Sequence, residues 1–204
     1  MKQLVEHLWR ENSDWITENS LIHCHTKHLD SIVLMKNQNQ LIRLYFASPE
    51  CDLFQDNYMR EEHSIGIHSH HCNLTLHCIK GKLHNVSFEL SKREGRYDAF
   101  QWCSGVTGEG KFKWVDFDIQ LNDKKHTTLF PGDSVYMQAN ELHTVECEGY
   151  ESCAWLVYEG AEDPNYNPVT YSREDLTYFD PKGLYVKPTK QEVYKRLQWA
   201  GLLN

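Results

Sequence analysis

The sequence predicts an all-β protein, a sandwich or closed barrel, with a short helix at each end. Three observations predict it. Eight or more short apolar or alternating runs, separated by turn residues, fill the middle of the 204-residue chain. No long helical pattern interrupts them. Helical spacing occurs only near the two termini.

Taken in order, Leu4, Val5, Leu8 and Trp9 lie at helical spacing, so an amphipathic helix is expected from Lys2 to about Ser13. Strands are expected over 31–35, 41–47, 64–70, 73–80, 83–90, 111–121, 133–138, 143–147 and 152–158. The stretch 93–110 is rich in glycine and charge and is expected to contain a long hairpin loop. Residues 160–183 carry Asp163-Pro164-Asn165 and Pro168 with little periodicity and read as irregular structure over the barrel wall. At the far end, Thr189 and Glu192 form a capping-box pattern. It opens a helix that sets Val193, Leu197 and Ala200 against the body and stops near Gly201; Trp199 lies off that stripe. With no internal repeat, low-complexity tract or linker, residues 1–204 read as one domain with a barrel core at about 31–158.

Composition narrows the function. Forty per cent hydrophobic and 25% charged residues are what a soluble globular protein carries. A net charge of −8 argues against nucleic acid or an anionic membrane as the main partner, because both attract basic surfaces. No apolar stretch is long enough for a membrane span, and acidic residues near the N-terminus interrupt any signal-peptide pattern. A cytoplasmic protein is expected. The seven cysteines agree, being odd in number and free of CxxC pairs, as unpaired thiols in a reducing compartment would be. Twelve histidines are the compositional oddity, and several fall close together.

The segment Ile67-His68-Ser69-His70-His71-Cys72-Asn73 carries the chemistry. On a strand, residues two apart share a face, so His68 and His70 point together while Ser69 points away. Two such imidazoles need one further ligand from another strand to hold a metal. Downstream, Pro131-Gly132-Asp133 makes a tight turn into a strand, Asn140 suits a second turn, and His143 opens the next strand.

These two segments, with Gly81 as the turn glycine after the first, resemble the paired motifs of the cupin superfamily over about Ile67 to Val145. The resemblance implies a double-stranded β-helix, a small jelly-roll barrel, with a metal held inside by His68, His70 and His143. The family's usual glutamate ligand falls at Leu74, so three histidines and no carboxylate are implied. Neutral ligands leave a divalent ion its full charge and open positions for substrate. Iron(II) is the first choice; zinc, nickel and manganese also suit three imidazoles.

Among cupins, three histidines in a chain of this length with flanking helices look like the thiol dioxygenases. That likeness implies Arg43 as the group pairing a substrate carboxylate, since its fork offers two hydrogen bonds, and Tyr158 as a donor near the metal. The family's Ser–His–Tyr strand pattern reads here as Ala154, Leu156 and Tyr158. The implied function is an iron(II)- and oxygen-dependent enzyme for a small polar substrate, possessing a thiol or a carboxylate. Two alternatives stay open: a cupin that binds a small ligand without turnover, and a metal-dependent isomerase or lyase. Either a monomer or a homodimer fits. His77 reads as a second layer around the metal or as pocket wall, His71 as facing the opposite way, and His23, His25 and His28 as surface. Phe100, Trp102, Trp114 and Trp155 read as barrel-mouth or core aromatics.

Overall fold

The computed structural model describes residues 1–54, 66–102, 112–173, 175–178, 180 and 182–204. Its elements are α1 (Lys2–Asn19), β1 (Leu29–Lys36), β2 (Leu41–Ala47), β3 (Ile67–His68), β4 (Leu74–Lys80), β5 (Lys82–Trp102), β6 (Phe112–Leu129), β7 (Ser134–Met137), β8 (Leu142–Glu148), β9 (Cys153–Glu159), β10 (Thr170–Ser172), a 3-10 turn (Leu176–Tyr178) and α2 (Lys190–Trp199). They form two five-stranded sheets, β1-β2-β9-β4-β7 and β10-β3-β8-β5-β6, with β10 also paired to β5. The pairings between these strands are antiparallel, which makes the molecule an all-β jelly roll with short helices. Positions 64–65 and 111 of the expected strands, the loop residues 103–110 and Cys103 lie outside the described residues.

Three apolar layers follow from side-chain alternation. Ala47, Leu74, Leu76, Cys78, Leu83, Met137, Cys147, Trp155 and Val157 fill the space between the sheets. On the outer face of the first sheet, Ile32, Leu34, Leu44, Ala154 and Leu156 pack under Val5 and Ile16 of α1 and Val193 and Leu197 of α2. On the outer face of the second, Ile67, Ala99, Leu121, Leu142 and Tyr171 form a smaller cluster. Because β1 and β9 are covered on both sides, they are buried at successive positions, and the runs Ile32–Met35 and Cys153–Val157 read as continuously apolar rather than alternating.

The terminal helices form where the sequence places them, with differences in length. The helix α1 continues past Ser13 to Asn19, with a kink at Asn12, because Ile16 has a buried seat on the first sheet. Both halves of the capping box are made: Thr189 Oγ1 accepts from the Glu192 amide and the Glu192 carboxylate accepts from the Thr189 amide.

The first part of the stretch expected to contain a hairpin loop, 93–102, is strand. The strand β5 runs on to Trp102, with register shifts between Ser91 and Ala99 that break the period-two pattern. Residues 160–183 are mostly irregular, yet they contribute β10, which bridges β3 and β5. Polar side chains collect toward one end of the interior. On the first sheet Arg43, paired with Val157, lies near the end marked by Leu41 and Glu159; on the second, His68 pairs with His143.

Candidate metal centre

The strand β3 is short because its partners change after His68. Ser69 turns outward, exchanging hydrogen bonds with Val169, and the His70 amide donates to Ala139 O. The backbone is locked from two sides, so both imidazoles of the pair point inward. His143 enters beside them on β8. One nitrogen from each of the three lies within 4.8 Å of the others; among the described residues no other such group of histidine, cysteine or carboxylate side chains occurs. The ring centroids form a near-equilateral triangle of 4.7, 5.0 and 4.9 Å.

Hydrogen bonds decide which nitrogens face the centre. His68 Nδ1 lies 3.0 Å from Gly66 O, an acceptor only, so it carries the proton and leaves Nε2 with a lone pair. His143 Nδ1 likewise donates to Asn85 Oδ1 at 2.7 Å, between two buried residues. Its Nε2 then meets His70 Nε2 at 2.7 Å, where two lone pairs repel unless a proton or a cation lies between them. Burial holds all three imidazoles below the usual histidine range; charge on neighbouring rings adds to it at His70 and His143, while the Gly66 carbonyl pulls His68 partly back up. Neutral imidazole is the form that binds a metal, so donor set and protonation state both fit a divalent ion.

The remaining expectations divide. Leu74 is buried in the apolar interior, so no carboxylate stands at the position the resemblance assigns to one. Arg43 does face inward, but it is engaged: its Nε lies 2.8 Å from Glu159 Oε1, and Nη1 donates to Tyr45 OH at 3.5 Å. The Glu159 contact is ionic without an aligned N–H, which leaves Nε a buried donor short of a good hydrogen bond. Burial pushes the Glu159 carboxyl up while Arg43 pulls it back down. Tyr158 is not at the centre. Alternation along β9 turns Trp155, Val157 and Glu159 inward and sends Tyr158 out under the helices, its hydroxyl 3.5 Å from Met1 Sδ.

Among the other histidines, His77 lies on the outer face of β4, bonded to Ser134 Oγ at 2.7 Å. His71 is exposed. His25, expected at the surface, sits close enough to the centre that charge on His68 and Arg43 adds to burial in bringing it down to about 4. Tyr185 OH faces its Nδ1 at 3.4 Å. Trp155 stacks on Tyr45 in the interior and Phe100 is buried, whereas Trp114 is exposed.

No protein-family model and no curated protein matches the sequence. Solved structures do. Hydroxypropylphosphonic acid epoxidase from S. wedmorenis is 11% identical, with 70% of this chain and 56% of that one covered at a TM-score of 0.40. A cupin superfamily protein from Desulfitobacterium hafniense is 9% identical over 66% of this chain and 78% of that one, TM-score 0.34. A DMSP lyase from Ruegeria pomeroyi is 10% identical over 70% and 51%, TM-score 0.37. The chain thus spans about half the length of the epoxidase and of the lyase. These likenesses go no further than that, and the two-sheet jelly roll rests on the strand order and on the meeting of β3 and β8 at the histidines. A surface groove of about 430 Å³, lined by Phe88, Leu90, Lys124, Gln138, Tyr166 and Tyr171 among others, lies on the outer side of the barrel and contains none of the three histidines.

Proposed function

We propose that this cupin is a mononuclear metal enzyme that holds iron(II) through His68, His70 and His143 and acts with oxygen on a small polar substrate. One observation carries the reading: two of the three imidazoles have Nδ1 tied to an acceptor, so their lone pairs are presented to a shared point. An iron(II) ion on three neutral nitrogens supplies Lewis acidity, one-electron chemistry and open coordination positions.

The protein's own share is orientation and exclusion of water. Tyr45, stacked on Trp155, and the Arg43–Glu159 pair form a polar wall beside the histidines. Leu74, Trp155 and Val157 keep the rest of the interior dry. A substrate carboxylate reaching Arg43 must compete with Glu159, so binding a monoanion there leaves the internal carboxylate to find a new partner.

The test is metal analysis of anaerobically purified protein, with oxygen uptake measured on candidate substrates. About one iron per wild-type chain, and none in a folded His68→Ala/His143→Ala variant, is the expected result. Stoichiometric metal retained in that variant overturns the site. Turnover with zinc under anaerobic conditions overturns the oxygen chemistry and leaves a lyase or isomerase.

A further inference from the structure

The charged residues beside the histidines are already paired with each other. Arg43 on β2 and Glu159 on β9 face the interior with Nε and Oε1 2.8 Å apart, their side chains 13% and 22% exposed. A short run of hydrogen bonds ties this pair to the centre. The Gly160 amide, next to Glu159, donates to Asn73 O. Asn73 Oδ1 accepts from the Ala139 amide, and Ala139 O accepts from the amide of His70. On its other side the guanidinium meets Tyr45, whose hydroxyl lies 3.5 Å from Nη1 and whose ring stacks on Trp155. Among the charges around Glu159, Arg43 acts most strongly; Glu162 and Lys36 follow with opposite signs. The wall beside the histidines is therefore close to neutral, although it is built from two full charges.

We propose, resting on the metal reading above, that Glu159 sets the substrate class: the end of the substrate that meets Arg43 is net neutral and offers both an acceptor and a donor. A carboxamide fits, its carbonyl accepting from the guanidinium and its N–H donating to the Glu159 carboxylate. An amino-acid zwitterion satisfies the same charge rule. A lone carboxylate does not. It takes Arg43 away from Glu159 and leaves that carboxylate buried beside a second one, and a buried charge stripped of its partner is strongly disfavoured. An arginine near a metal ordinarily reads as a carboxylate clamp, because its fork matches two oxygens. Here the protein supplies the oxygens itself. The other end of the substrate goes to the histidines, where an ion on three neutral ligands keeps its full charge and favours an anionic donor. The substrate thus brings its negative charge to the metal and no net charge to the wall. Discrimination by the group left unpaired is stronger than discrimination by size.

Thiols of matched length read this directly: 3-mercaptopropionate, 3-mercaptopropionamide and 3-aminopropane-1-thiol, whose far ends are negative, neutral and positive. They are titrated anaerobically into cobalt(II)-loaded protein, and the thiolate-to-cobalt absorption band gives each dissociation constant. Cobalt content is measured first. Wild type without cobalt overturns the metal reading and this inference with it; cobalt-loaded protein that ranks the thiols otherwise overturns this inference alone. Wild type should bind the amide about tenfold more tightly than either charged thiol. Cysteine binding as well as the amide assigns the zwitterion; cysteine binding as poorly as the charged thiols assigns the amide. Glu159→Gln should move the preference to the carboxylate, and Arg43→Gln should move it to the ammonium. In Glu159→Gln, 3-mercaptopropionate should also raise the melting temperature more than it does in wild type, because it returns the missing anion to Arg43. An unchanged order in a folded Glu159→Gln protein refutes the role of Glu159. If that variant does not fold, the wild-type order decides: a carboxylate bound as tightly as the amide overturns the proposal.

Discussion

The Asn85–His143 hydrogen bond offers the sharpest check on the centre. Asn85 is 4% exposed and His143 3%, and their side chains meet at 2.7 Å. Asn85→Leu keeps the branched shape of the side chain and removes the acceptor. His143 Nδ1–H is then buried without a partner, which costs about 1–3 kcal/mol. The alternative tautomer escapes that cost by moving the proton to Nε2, and it thereby removes the lone pair aimed at the ion. Either route weakens the metal, and partners of this kind are worth about 10–100-fold in affinity. Competition with a chromophoric chelator under anaerobic conditions measures the dissociation constant, and an apo-protein melt reports the fold. Unchanged affinity in a folded Asn85→Leu protein refutes the idea that this hydrogen bond orients the ligand.

Other outcomes follow from the same geometry. The ion-free protein should lose stability in acid. His25 is held at about 4, by burial first and then by charge on His68 and Arg43, against about 6.5 in the unfolded chain. The unfolded state therefore takes up the proton first, so its contribution is present above about pH 6.5 and falls as pH drops toward 4. That interval corresponds to about 3 kcal/mol from this one residue. Urea midpoints at neutral and acid pH measure it, and His25→Gln should flatten the profile. Glu159→Gln leaves Arg43 buried and uncompensated and should cost about 3–5 kcal/mol by thermal denaturation; a loss under 1 kcal/mol means the pair is solvated. Tyr158→Phe should change neither metal affinity nor oxygen uptake, because the hydroxyl faces the helical layer. Thr189→Ala removes one half of the capping box and should cost about 1 kcal/mol in a urea titration.

What could be read in the sequence, and what could not, follows from how each strand is covered. Spacing of two puts His68 and His70 on one face of any extended chain, so that half of the centre was legible locally. The third histidine was legible through turn residues, because Pro131-Gly132-Asp133 and Asn140 set where β8 must begin. The strand β9 is different. Cys153 to Val157 are all buried, since one face meets the interior and the other meets the helices. A strand that is apolar on both faces does not reveal which parity is inside, and the choice between Tyr158 and Glu159 hangs on that alone. Only the seating of α1 and α2 resolves it, and it resolves it toward the carboxylate. His25 had no periodic signal because it arrives on irregular backbone, with His23, His25 and His28 all at positive φ. The length of β5 was hidden in the same way: its register shifts erase alternation within a stretch whose charge reads as loop. The legible residues are thus those on regular strands with one polar face. The charged wall of the centre, Arg43 with Glu159, needs the three-dimensional structure, because a carboxylate at the end of a strand looks like surface until the opposite strand brings an arginine to it.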